Sequence, residues 1–263
     1  MAHRGGLFAC WVAVGAVGVT STAGANAQGI DLSTLVSSLD LTERGAAMWL
    51  ARLEANGTGP AAERLLAVTA TGERLMERDG GQSSVSVGVE MDKLLLQQDR
   101  VVVLIHNHAS NVGLSAADIG QLAKAGVAAI VAIGHDRSVF VAAPGRRMDP
   151  DHVEDRQYAQ ASAEVSRRLR KDWPMNHIPF AVADAHLSHL VAQALAQIGV
   201  IDYWFVLRGT SRESYERARL VFGQVVAGTT AQLKQRGPQK SHIRSPERTS
   251  NCQVRPPTSV EAP

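Results

Sequence analysis

The run VVVLI at residues 101–105 constrains this chain more than any other segment. Side chains of a strand alternate between two faces, and an unbroken aliphatic run leaves neither face for water. The pattern predicts a strand over 100–105 that is buried on both sides. Such a strand belongs inside a sheet with layers packed over it, so the chain reads as an α/β protein whose sheet is flanked by helices.

The neighbouring segments supply those layers. Apolar residues recur at helical spacing over 32–53, with Leu35, Leu39, Met48, Leu50 and Leu53 among them, and predict a helix or a helix pair ending at the breaker GTGP. The stretch ERLLAVTATGERLMERDGG gives two runs joined around Thr71 and Gly72, a β-hairpin with Glu63 at the entrance of its first strand. Residues 90–98 read as a short amphipathic helix, 115–124 as another helix, and AIVAIGHDRSVFVAA as two strands joined at 134–137. Beyond Pro144 follow a charged helix over 151–171, a more apolar helix over 181–198, a strand at IDYWFVLRG and a final helix over 211–235 with many arginines on its solvated side. His186 and His189, three apart, read as polar-face or capping residues.

A chain of 263 residues, 45% hydrophobic and 20% charged, can bury one sizeable core and carry extensions. Its formal net charge of +2 is too small to point to nucleic acid. At the start, Arg4 is followed by an apolar stretch over 7–20 and then by Ala25, Asn26 and Ala27, the pattern of a secretory signal over 1–27 that is cleaved rather than membrane-spanning. An uncleaved anchor, or a start codon set too far upstream, is the alternative. Cleavage removes Cys10 and leaves Cys252 as the only thiol, so no intrachain disulfide is expected. From Gly237 onward apolar periodicity is lost and proline, serine and basic residues dominate, which marks 237–263 as a disordered tail.

The chemistry concentrates where the buried strand ends. His106 and His108 at a strand end project from the same face, so two imidazoles could share one ion. A catalytic zinc commonly takes three protein ligands and keeps one position for water, which asks for one more donor. Asp118, three residues after Ser115, falls in the first turn of the next helix if Ser115 begins it. SAAD is equally an SxxD helix cap that needs no metal, and two histidines at a strand end can simply be solvated. Spacing alone leaves both readings standing.

The segment HNHASNVGLSAAD resembles the signature of the JAMM metalloproteases, also called MPN or JAB, in which HxH, usually followed by proline, leads to SxxD. The RadC-like branch characteristically reads HNHPS, and HNHAS resembles it. The resemblance spans roughly residues 61–143. It departs from the pattern at Ala109, where proline is usual, and in having one residue fewer between His108 and Asp118. Neither change removes a ligand.

The resemblance implies a cytidine-deaminase-like mixed sheet and one Zn2+ per chain, bound by His106, His108 and Asp118. It implies that Ser115 assists the tetrahedral intermediate and that Glu63 is the general base, because the family's glutamate enters a hairpin ahead of the histidine-bearing strand. Glu73, Glu77 and Glu90 are the competing choices. The expected organisation is a signal over 1–27, a metal hydrolase domain over 28–145, a mainly helical region over 146–236 and the tail over 237–263. The expected activity is hydrolysis of a peptide or isopeptide bond in a protein substrate, in the periplasm or outside the cell. The alternatives are a catalytically silent binding module, or a cytoplasmic RadC-like protein acting in DNA transactions if the signal is misleading.

Overall fold

The computed structural model describes residues 31–54, 62–81, 85–97, 101–108, 111–176 and 178–236. The expected signal, the GTGP breaker, Ala109 and the tail lie outside them. Among the described residues there are six strands and seven α-helices, and the strands form one mixed sheet. No helix among them is long and apolar enough to cross a membrane.

The aliphatic run becomes β3, Val102–His108, which is buried at every position. The strand starts later than the pattern predicted and runs on through both histidines, because those polar residues find partners without leaving the sheet. On one edge β3 pairs antiparallel with β1, Arg64–Val68, which forms the expected hairpin with β2, Arg74–Asp79. Gly72 closes the turn at φ +86, a left-handed conformation open to glycine at no steric cost. On its other edge β3 pairs parallel with β4, Val127–Gly134, itself antiparallel to β5, Val139–Pro144.

Alternation sends odd and even residues of these strands to different layers. Val103, Ile105, Val131 and Ile133 meet α1, Leu32–Ser38, and α2, Glu43–Glu54, through Leu35, Leu39, Trp49, Leu50 and Leu53. Asp31 caps α1 by accepting from Thr34 N–H, and the Trp49 indole donates to the Leu39 carbonyl at 2.8 Å. Val102, Leu104, Ile130 and Ala132 face the opposite layer. That layer begins with α3, Gly88–Leu95, and α4, Ala116–Gln121, both shorter than their apolar patterns suggested. A π-helical turn, Val153–Tyr158, then leads into α5, Ala159–Asn176.

The region after 145 is mainly helical and also contributes to the sheet. After α6, Phe180–Gln197, strand β6, Ile201–Val206, joins the same sheet antiparallel to β5. The last helix, α7, Gly209–Arg236, packs Phe222, Val225 and Val226 into the same core as Leu104 and Ile130. One hydrophobic core thus includes residues on both sides of 145. Arg212, Arg217 and Arg219 lie on the exposed side of α7, as its pattern indicated.

His186 and His189 correct the expectation of a polar face: both are buried. His186 Nε2 meets Ser214 Oγ at 2.8 Å, and His189 lies between the Tyr203 hydroxyl at 2.9 Å and the Gln193 amide at 2.7 Å. Their neighbours Ala183, Leu190, Val191, Ala194 and Leu195 are buried too, so the face they share is apolar. Burial holds His186 down to about 4 and holds His189, with help from His186, down to about 3. Both are neutral in the fold and gain a proton on unfolding, so their contribution is complete above 6.5 and is lost as the pH falls toward 4. Each should remove about 1.4 kcal/mol of stability per pH unit in that window. Chemical denaturation at stepped pH measures this, and a flat profile between 6.5 and 4.5 would contradict it.

Candidate metal centre

The centre is built at the carboxyl end of β3. Because Val102 and Leu104 face the α4 side, His106 and His108 do as well, with ring centroids 4.6 Å apart and Nε2 atoms 2.8 Å apart. His108 Nδ1 donates to the Val112 carbonyl at 2.9 Å. A carbonyl only accepts, so Nδ1 carries the hydrogen, and in the neutral ring Nε2 is left with a free lone pair. His106 Nδ1 is buried and makes no hydrogen bond.

The loop after β3 returns the chain to these rings. Gly113 lies on α6 so closely that a Cβ there would sit 2.9 Å from the His189 backbone nitrogen. The Tyr158 hydroxyl donates to the Leu114 carbonyl at 3.3 Å, which ties the loop to the π-helical turn. Ser115 then caps α4: its Oγ accepts from Asp118 N–H at 3.1 Å, while its own N–H and O–H reach Asp118 Oδ2 at 2.7 and 2.8 Å. This is the capping box that the sequence permitted. It also aims the carboxylate, with Oδ1 at 3.3 Å from His106 Nε2 and Oδ2 at 3.4 Å from His108 Nε2.

His106, His108 and Asp118 thus form a group that could hold a metal ion. Ligands at about 2.0–2.1 Å from a tetrahedral centre lie about 3.3 Å apart, close to the separation of His106 Nε2 from Asp118 Oδ1 and of His108 Nε2 from Asp118 Oδ2, so each carboxylate oxygen meets one imidazole at that distance. The two imidazoles need to open by roughly half an ångström to match it. The donor types, two nitrogens and one carboxylate, suit a first-row divalent ion and leave a position for a further ligand.

Charge at the centre is set by the same contacts. Burial pushes the Asp118 carboxyl up, but the charges and hydrogen bonds of His106 and His108 outweigh it and hold Asp118 well below the usual carboxylate range. His108 is pushed down by burial and pulled up more strongly by Asp118, ending above 6.5. A proton on His108 therefore competes with a metal ion.

Glu63, immediately before β1, stands half-buried on the same side of the sheet, near enough to interact electrostatically with His108, His106 and Asp118. Burial raises its pKa above the ordinary glutamate value, against the lowering influence of the two histidines. The competing glutamates are elsewhere: Glu77 pairs with Arg64 and Arg74, Glu90 pairs with Lys93, and Glu73 is exposed on the hairpin turn. Ser115 is at the centre, with its hydroxyl hydrogen committed to Asp118.

Sequence reading passed over Asn107 and Tyr158. Asn107 is fully buried and lies opposite the histidines, where a polar residue between Ile105 and His108 signals a required partner. Tyr158 carried no local signal, since its partner is 44 residues away. Compared with family models, curated proteins and solved structures, the chain matches none.

Cobalt(II), an optical probe of such sites, should bind in a 1:1 ratio and should be lost in His108→Ala. Ser115→Ala should cost about 1 kcal/mol of stability through the cap. It should also weaken cobalt roughly 10- to 100-fold by freeing Asp118. Occupancy should decline as the pH falls through the raised value of His108. Equal affinity in wild type and Ser115→Ala, by titration against a chelator, would show that the cap does not orient the ligand.

Proposed function

We propose that this chain is a zinc-dependent hydrolase of peptide or isopeptide bonds, of the JAMM type and resembling its RadC-like branch. The observation that carries the reading is the convergence of His106, His108 and Asp118, with Glu63, just before β1, near enough to interact electrostatically with all three. The mixed sheet flanked by helices is compatible with the same family's fold.

His106, His108 and Asp118 would hold the ion. When bound, zinc supplies Lewis acidity, lowering the pKa of a coordinated water toward about 7 and polarising a carbonyl. Glu63 takes the proton of the attacking water on its carboxylate and returns it to the leaving nitrogen, so the reaction needs no covalent intermediate. Its partial burial suits this, because a carboxylate short of water holds a proton more tightly than an exposed one. Ser115 orients Asp118; to assist an oxyanion its hydroxyl hydrogen must turn away from that carboxylate. The expected export would place the reaction on a protein or peptide substrate outside the cytoplasm, away from nucleic acid.

A general base can be removed without dismantling a metal site, whereas a ligand cannot. Glu63→Gln should keep one zinc per chain and reduce hydrolysis by roughly two to four orders of magnitude. Asp118→Asn should instead reduce zinc content. Metal analysis and a panel of peptides and lysine isopeptides make the comparison. Wild-type protein that takes up no zinc would replace this reading with a silent binding module.

A further inference from the structure

Main-chain pairing between β1 and β3 stops at Leu65 and His106, between the two histidines of the centre. Where Arg64 would next face Asn107, a side chain takes over the ladder. Asn107 Oδ1 accepts from Arg64 N–H at 2.7 Å, and Asn107 Nδ2 donates to the Ala62 carbonyl at 2.9 Å. The two partners also fix which end of the amide is oxygen, since an N–H needs an acceptor and a carbonyl a donor. A carboxamide has the donor and acceptor of a peptide group, so Asn107 acts as an inserted peptide between two strand ends.

The two groups it holds lie on either side of Glu63. On the other edge, Glu63 N–H donates to the Gly81 carbonyl and its carbonyl accepts from Gly80 N–H, both at 2.8 Å. Four hydrogen bonds therefore hold the backbone around this one residue. Asn107 is fully buried and lies between two histidines whose rings project to the opposite face, so changing it removes none of their donor atoms.

We infer that Asn107 is a positioning residue: its carboxamide sets the end of β1 so that the Glu63 carboxylate meets the reacting water beside His106, His108 and Asp118. The inference rests on the hydrolase reading above and deepens it. A ladder pair at this step would draw the strands to the usual spacing of about 4.7–4.9 Å, whereas a side chain inserted between them keeps the Glu63 end apart from β3. The requirement is strict, since an error of about 1 Å in placing a reacting group can cost roughly 100-fold in rate.

The test compares wild type, Asn107→Ala, Glu63→Gln and the double variant, first by cobalt(II) binding and amide hydrogen exchange, then on the peptide or isopeptide that wild type cleaves. Asn107→Ala should bind one cobalt per chain with an unchanged visible spectrum. Arg64 N–H should exchange at least tenfold faster, while the amides of Leu104 and Ile105 keep wild-type rates. Its kcat should fall about 10- to 100-fold with KM within about twofold, and the double variant should be no slower than Glu63→Gln, because Asn107 acts through Glu63.

Losses that multiply in the double variant, unchanged exchange at Arg64, or loss of the cobalt spectrum would each overturn the inference and leave Asn107 a structural residue. If Asn107→Ala does not fold, Asn107→Ser, whose hydroxyl can serve one of the two partners, carries the same measurements. Wild type that binds no cobalt or cleaves nothing would overturn the hydrolase reading and this inference together. The exchange rate at Arg64 would still report whether the clamp orders Glu63.

Discussion

The structure depends on β3 being satisfied on four sides. Both edges are hydrogen-bonded, to β1 and β4, and both faces are covered by helices. The pairing with β4 is parallel, so no tight turn can join the two strands and the chain must cross back over the sheet. It leaves at His108 and returns at Val127, and α4 lies on the way. His106 and His108 therefore stand at the carboxyl end of a parallel strand, and Asp118 stands in the first turn of the crossover. Ligands of open α/β sheets gather in this region, where strands end and helices begin. The three donors meet because the topology leaves the returning chain little other route.

Two readings of SxxD, a helix cap and a metal ligand, compete in the sequence; the structure shows the cap, and the capped rotamer leaves Asp118 facing both histidines, where it could also ligate an ion. The Ser115 N–H and hydroxyl point at one oxygen of Asp118 while the other faces His106. The cap removes much of the freedom a carboxylate would otherwise surrender when it ligates an ion. Sequence could not separate the readings because both use the same atoms in the same rotamer.

What was legible followed from local pattern. The β3 run, the hairpin with its Gly72 turn, the helix pair before it and the HxH spacing each depend on residues close in sequence, and each is present. Strand alternation also sufficed to put both histidines on one face. What was illegible depended on partners far along the chain. The face shared by His186 and His189 is set by Tyr203, Ser214 and Phe222, so i,i+3 spacing could not decide between surface and core. The strand read at IDYWFVLRG was legible, but that it pairs with β5 as the next strand of the same sheet was not, since its partner lies about sixty residues earlier. Glu63 was placed by resemblance, and its environment is set by Asn107, which alternation would have flagged as a buried amide in need of a partner.

Gly113 and Leu114, just ahead of Ser115, are seated by residues much later in the chain. Gly113 rests on the α6 backbone, and Leu114 is held by Tyr158. Synthesis at about 5–20 residues per second delivers both supports on the order of seconds after the histidines emerge. In that interval the Val112 carbonyl has nothing to hold it, and His108 has no fixed tautomer. A metal ion arriving then would meet flexible imidazoles of ordinary affinity, open to exchange with any other donor. The arrangement of these residues thus belongs to the finished fold, completed only when Tyr158 and α6 have packed against the residues that follow β3.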